Sequence, residues 1–371
     1  MKNTIKFCLN LSVMLAAAVP TVHAQTAAQA AGLLDKSTLK TADAAVNANW
    51  AWARGYSGAG STILFMDSGI DVKNVDFAGR IRYTIDYTGT GVQDTVGHGT
   101  NVAGIAVAAN NGIGTTGIAY GATIAVAKIT NNDSVNFTAA RQALIWSGQY
   151  SDIVAANLSA NTNYSAAYMA ASKQVAPGLY INTDKNYGGQ AYYNLEKPTD
   201  WKIPGQTVLV VSAGNQGTPY VQNPATFATA TDATGNLILG GQMIVVGNWN
   251  TGLNIQQGDQ SGTMCKNYQN NACLDKYRMS DFYIMAPGTG ILSTGIGNGA
   301  TTTMSGTSQA APVVAGAVAV VHQMWPYMTG ANIVQLLLKT ANKNLPGYNV
   351  NTMGQGLLDL NRATQPIGNL G

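Results

Sequence analysis

Charge is scarce in this chain. Lys, Arg, Asp and Glu make up 10% of its 371 residues, against roughly 25% in ordinary soluble domains. The 20 basic residues barely outnumber the 17 acidic ones, and no basic patch argues for nucleic acid or a membrane surface. Histidine and cysteine are scarcer still, three of each, and no long apolar run reaches the length of a membrane-spanning helix. What is plentiful is small and apolar. Hydrophobic residues make up 46%, so a sizeable core can form and wholesale disorder is excluded. The length suits one large domain or two ordinary ones.

The first 24 residues stand apart. Lys2 and Lys6 give a positive start, Leu11 to Val19 a short apolar stretch, and Val22-His23-Ala24 small residues at −3 and −1 before Gln25. That tripartite pattern is expected of a signal peptide cleaved near Ala24, and so of an exported protein, secreted or periplasmic. Its removal leaves 18 basic residues against 17 acidic ones, a nearly neutral mature chain. Cys8 leaves with it. Cys265 and Cys273 remain as the one pair, in a polar, Asn-rich segment without a nearby His. In an oxidising compartment the expectation is a disulfide closing a small loop, not a zinc site.

Beyond Gln25, residues 25–50 form an N-terminal segment with a short helix expected around Asp43 to Arg54. From there on, apolar runs of strand length alternate with helix-like stretches. The runs are Thr62–Met66, Thr123–Ile129, Ile153–Leu158, Val208–Val211 and Met243–Val246; Phe137–Trp146 and Tyr164–Lys173 are amphipathic. Strands apolar on both faces, alternating with helices, indicate an α/β protein with a mainly parallel sheet. Ala310 to Trp325 is apolar nearly all round and reads as a buried helix. Asn332 to Ala341 reads as an amphipathic helix, and Gly354 to Asp359 as a turn. No repeat or low-complexity linker is visible, so residues 51–371 read as one domain.

Three segments carry chemistry. After signal removal only His98 and His322 remain, and an enzyme moving protons near neutral pH most often uses His. His322 lies late in the buried helix and reads as a core histidine. His98 sits in Val96-Gly97-His98-Gly99-Thr100-Asn101-Val102-Ala103-Gly104, flanked by glycines where a helix begins. Ser308, in Thr303-Met304-Ser305-Gly306-Thr307-Ser308-Gln309-Ala310-Ala311-Pro312, falls at the N-terminus of the buried helix, where backbone N–H groups favour developing negative charge. Ser305, Thr307 or Ser308 could equally be a helix cap. The run Thr62 to Met66 delivers Asp67 at a strand's carboxyl end before Ser68-Gly69-Ile70, where open α/β sheets build sites. A local turn role is common for such an Asp; Asp71, Asp76 and Asp94 are alternatives, though none ends an apolar strand.

The order Asp, His, Ser along the chain is the subtilisin order. Asp67-Ser68-Gly69-Ile70, His98-Gly99-Thr100-Asn101-Val102-Ala103-Gly104 and Gly306-Thr307-Ser308-Gln309-Ala310-Ala311-Pro312 resemble the three motifs of the subtilase family, over about residues 50 to 363. The resemblance implies a three-layer α/β fold and a serine endopeptidase with Asp67, His98 and Ser308 as its triad. It implies Asn215, in Val210-Val211-Ser212-Ala213-Gly214-Asn215-Gln216-Gly217, as the side-chain donor to the oxyanion; unaided, that Asn reads as a turn residue. Ser159, Ala160, Asn161, Ala213 and Gly214 would bind an extended polypeptide substrate by main-chain pairing. No cofactor is required. Calcium is common in the family, but no Asp-rich ligand loop indicates it. The expectation is a monomer.

The sequence departs from the family in three ways. Asn161 stands where subtilases have the Gly of a Ser-x-Gly segment lining the P1 pocket. Only a short polar stretch lies between Gln25 and the core, so no sizeable pro-domain is expected. Gly354 to Thr364, and the Cys265–Cys273 region ahead of Ala286-Pro287-Gly288, resemble passenger domains of autotransporter subtilases, although no β-barrel follows within this chain. The absent pro-domain and Asn161 keep open a second reading, a subtilase-like binding surface without turnover. An α/β-hydrolase esterase is excluded by triad order and by the lack of a G-x-S-x-G elbow at Ser308.

Overall fold

The computed structural model describes residues 40–132, 135–162, 173–176, 179–181, 197–262 and 276–365. The strands are β1 (Thr62–Asp67), β2 (Ile81–Asp86), β3 (Thr123–Lys128), β4 (Ile153–Leu158), β5 (Lys173–Ala176), β6 (Leu179–Ile181), β7 (Val208–Ser212), β8 (Met243–Asn250), β9 (Ile255–Gln257), β10 (Tyr283–Pro287), β11 (Ile291–Thr294) and β12 (Thr301–Met304). The helices are α1 (Lys40–Ala45), α2 (Ala48–Ala53), α3 (His98–Val107), α4 (Phe137–Ser147), α5 (Thr307–Met324), α6 (Gly330–Thr340), α7 (Val350–Met353) and α8 (Leu360–Ala363).

Seven strands form the central sheet in the order β2-β3-β1-β4-β7-β8-β10, every neighbouring pair parallel, with β9 antiparallel to β8 at the side. Successive strand residues point to opposite faces, and both faces are apolar. Ile63 and Phe65 of β1, with Val208 and Val210 of β7, enter one core against α3, α5 and α6. Leu64 and Met66, with Leu209 and Val211, enter the other, which α4 covers through Ala139, Ala140, Ala143 and Leu144. Helices on both faces of a mainly parallel sheet make the three-layer α/β arrangement that the family resemblance implies, on the parallel sheet that the patterning implies.

From β1 the chain builds β2 and then β3 on one side, and crosses to β4 on the other. Between β1 and β4 the strand order reverses, and in such sheets a crevice opens beyond the carboxyl ends of the strands. Asp67 ends β1 and Leu158 ends β4.

Some elements differ from the sequence reading. The single helix expected over Asp43 to Arg54 is two, because Asn47 takes a left-handed conformation (φ 57°) and its side chain donates to Asp359 Oδ1 at 3.0 Å. β2 and β10 were not anticipated; β2 lies at the sheet edge and is only partly buried. Of the helix expected over Tyr164–Lys173, all but Lys173 lies outside the described residues, and Lys173 opens β5. The segment 1–24 and both Cys265 and Cys273 also lie outside them. Among the described residues, no helix is long and apolar enough to cross a membrane.

Candidate active site

Asp67 is buried at the end of β1, where its Oδ1 accepts from its neighbour's amide, Ser68 N–H, at 2.7 Å and lies 2.8 Å from His98 Nδ1. The imidazole comes from the first residue of α3. From Gly97 to Ala108 every residue but His98 is buried. The helix start can approach β1 so closely because residue 99 is Gly: a Cβ there would lie 2.2 Å from Gly69 O and 3.1 Å from Asp67 Cβ.

A second carboxylate organises this junction. Asp94, also buried, accepts from Val96 N–H (2.9 Å) and Gly97 N–H (2.8 Å) through Oδ1, and from Thr100 N–H (2.9 Å) and Thr100 Oγ1 (2.7 Å) through Oδ2. Its Oδ1 also accepts from Ser68 Oγ at 3.0 Å, while Ser68 Oγ accepts from Gly99 N–H at 2.9 Å. The negative charge sits at the N-terminal end of α3, where the helix dipole favours it. Asp94 therefore ties the turn after β1 to the helix that carries His98. Its signal in the sequence was its place four residues before His98; with no apolar strand leading into it, only its contacts reveal the role.

Ser308 is the second residue of α5. Every other residue from Gly306 to Val321 is buried, so Ser308 is where the first turns of this core helix reach solvent. Ser308 and Ser159 make a reciprocal pair. Ser308 Oγ donates to Ser159 O at 3.1 Å, and Ser159 Oγ donates to Ser308 O at 2.8 Å. Asn157 Nδ2 donates to Ser159 Oγ at 2.9 Å, adding a support from β4 that sequence reasoning missed.

Asn215 follows β7 and is exposed. Its Oδ1 accepts from Thr307 N–H at 2.8 Å and Thr307 Oγ1 at 3.0 Å. With the carbonyl end of the amide committed, its two N–H donors are left for another acceptor. Gly306 (φ 150°) permits the approach, since a Cβ there would stand 3.2 Å from Asn215 Nδ2. Asp259 braces the turn from behind: its N–H donates to Gly214 O (2.9 Å), Oδ1 accepts from Thr218 N–H (2.8 Å) and Oδ2 from Gln222 Nε2 (2.9 Å). Burial pushes the Asp259 carboxyl up, and these donors pull it back only in part.

Asp67, His98, Ser159, Ala160, Asn161, Asn215 and Ser308 line one cleft of about 160 Å³, together with apolar Ile129 and Val135. Ala213 and Gly214 are buried and do not line it. Asp71 and Asp76 point to other contacts: Asp71 accepts from Gly297 N–H at 2.6 Å, and Asp76 from Asn111 Nδ2 at 2.9 Å. His322 is half-buried on α5, with Nδ1 3.1 Å from Ser61 Oγ. Among the described residues no group of three or more His, Cys, Asp and Glu is arranged to hold a metal ion.

The model of the subtilase family matches residues 58–356. The chain is 28% identical to subtilisin BL of Lederbergia lenta over 322 residues, covering 86% of this chain and 96% of that protein. It is 28% identical to alkaline elastase YaB of Bacillus sp. (strain YaB) over 325 residues, 86% of this chain and 68% of the relative. An extracellular protease of Xanthomonas campestris pv. campestris is 26% identical over 275 residues, 72% of this chain and 39% of that protein. With its parallel sheet, and a His, an Asp and a Ser gathered at the crevice beyond β1, the chain belongs to the subtilase family of subtilisin-like serine endopeptidases.

Proposed function

We propose that the protein is an exported endopeptidase that cleaves extended polypeptides through a triad of Asp67, His98 and Ser308 and an acyl-enzyme intermediate. The observation that carries this reading is the 2.8 Å contact between His98 Nδ1 and the buried Asp67, beside a cleft that Ser308 also lines. An ionised carboxylate can only accept, so the proton of the pair resides on Nδ1 and Nε2 is the basic nitrogen. Ser308 Oγ attacks the scissile carbonyl as Nε2 takes its proton; the imidazolium, stabilised by Asp67, then protonates the leaving amine. Water repeats the sequence on the acyl-enzyme.

The oxyanion is met by Asn215 Nδ2 and by the N–H of Ser308, a first-turn amide for which the helix supplies no acceptor. Substrate backbone lies along Ser159, Ala160 and Asn161. These residues provide nucleophile, base, acid and oxyanion donors, so the chemistry requires no cofactor. Residues 1–24 direct export, 51–371 act as a monomeric peptidase domain, and Cys265 pairs with Cys273.

The test is a fluorophosphonate probe on the purified mature protein beside its Ser308→Ala form. Labelling of the wild type alone, with the added mass on the Ser308 peptide, is the expected result. A folded protein that takes no label is a binding surface rather than an enzyme, and label on both forms places the nucleophile elsewhere.

A further inference from the structure

We infer that the Asn161 side chain closes the pocket for the residue on the acyl side of the scissile bond, P1, so that cleavage follows small residues: glycine, alanine or serine. The inference rests on the endopeptidase reading above and narrows its substrate class.

The geometry begins with β4 and β7. Their ladder runs from Ala155 opposite Val208 to Leu158 opposite Val211, and no further. Past these residues the two chains bracket the reacting centre. Ser159 holds Ser308 through the reciprocal hydrogen bonds, while the chain after Ser212 leads to Asn215. The cleft that Ser308 and Asn215 line is walled by Ser159, Ala160 and Asn161, so the P1 side chain beside a scissile carbonyl held there faces the seam between residues 159–162 and 212–215.

That crevice already has an occupant. Asn161 Nδ2 donates to Ser212 O at 2.6 Å, and Ser212 Oγ donates to Asn161 Oδ1 at 2.9 Å. The next residue continues the seam, with Thr162 N–H donating to Asn223 O at 3.1 Å. Asn161 is only 8% exposed, and Ser212, Ala213 and Gly214 beneath it are buried. A large side chain could enter only by displacing the amide and breaking both hydrogen bonds, a cost that offsets what its burial gains. The amide bridge thus does the work of a pocket floor raised to the level of the cleft.

Substrates identical except at P1 (Gly, Ala, Ser, Leu, Phe), each with a chromogenic leaving group, read the pocket directly. The wild type should favour Ala over Phe by at least about tenfold in kcat/KM, the scale of discrimination that a filled apolar site imposes on added methylenes. Asn161→Gly should raise kcat/KM for Phe about tenfold or more and change Ala much less. Ser212→Ala, which removes one of the two hydrogen bonds, should fall between. If Asn161→Gly fails to give a cooperative thermal melt, Asn161→Ala carries the same comparison. A wild type that cleaves after Phe as well as after Ala overturns the inference. So does an Ala-to-Phe ratio that a folded Asn161 variant leaves unchanged, or wild-type fluorophosphonate labelling without cleavage of any small-P1 substrate. Absence of both labelling and cleavage in the wild type overturns the endopeptidase reading itself, and this inference with it.

Discussion

Thr307 makes two bonds to one atom, and that atom decides what Asn215 can do. The hydroxyl and amide of Thr307 both donate to Asn215 Oδ1, which fixes the amide plane and leaves Nδ2 as the donor end. An oxyanion donor held in advance costs no reorganisation when charge develops. Asn215→Ala should therefore lower kcat by about 10²–10³ with little change in KM, the size of loss known for such a donor in a subtilisin. A fall in affinity with kcat preserved would make Asn215 a binding residue instead. At this scale the sequence was readable where chemistry demands a residue type in a fixed neighbourhood: Asp67 at a strand end, His98 between glycines, Ser308 at the head of an apolar helix. Asn161 could not be read, because an Asn in that segment fits equally a side chain in the pocket or turned aside; its partner Ser212 lies on a different strand, and only folding brings the two together.

The helix that carries His98 is secured at both ends by opposite charge. Asp94 accepts amides at its start, and the Arg80 guanidinium donates to Val107 O at its end. Burial lowers the Arg80 pKa to about 10, against the opposing charge of Asp76, so the group stays cationic at neutral pH. Such placement suits the dipole at each terminus. Between the ends, the contact of Gly99 with the Gly69 backbone sets how near α3 lies to β1. Gly99→Ala should force the helix start away and lengthen the Asp67–His98 contact. The expected loss is at least about tenfold in kcat, since small misplacements of catalytic groups are costly. Steady-state kinetics and a crystal structure of the variant would settle it: full activity at an unmoved His98 would remove Gly99 from the account. Strands buried on both faces were legible as apolar runs, and β4 matches its run residue for residue. β2 was not, because its half-exposed edge position leaves a polar, mixed pattern, and neither was the break at Asn47, which depends on Asp359 far along the chain.

Taken as a whole, the molecule is fastened by contacts between distant segments, and one of them responds to acid. Asp71 follows β1 and accepts from Gly297 N–H (2.6 Å), Gln93 Nε2 (3.1 Å) and Lys73 N–H (3.1 Å), tying the loop between β11 and β12 to the β1 turn. Burial alone would raise its pKa. The donors, with the Lys73 charge, outweigh burial and hold the carboxyl below its ordinary value. A carboxyl depressed in the folded state adds stability above its unfolded pKa of about 3.9, and that contribution disappears as pH falls through the folded value. Asp71→Asn should accordingly melt below the wild type at pH 6–7, with the gap closing below about pH 4. Melting curves taken across that range would show the closing gap, and a gap constant with pH would mean that the charge is not what matters. Fold class was legible at this scale because it follows from strands apolar on two faces alternating with helices; the cross-loop ties were not, since each joins residues with no local pattern in common.

The order of the parts along the chain has a consequence for synthesis. Asp67 closes the first strand, whereas Ser308 arrives on the helix that follows the twelfth. A nascent chain still short of that helix carries the proposed acid and base but lacks the proposed nucleophile, and the contact of Ser308 Oγ with the Ser159 carbonyl cannot form. On the proposed reading, hydrolytic potential is therefore absent from every intermediate that lacks this helix, and arises only once the segments that hold residues 67, 98 and 308 have come together.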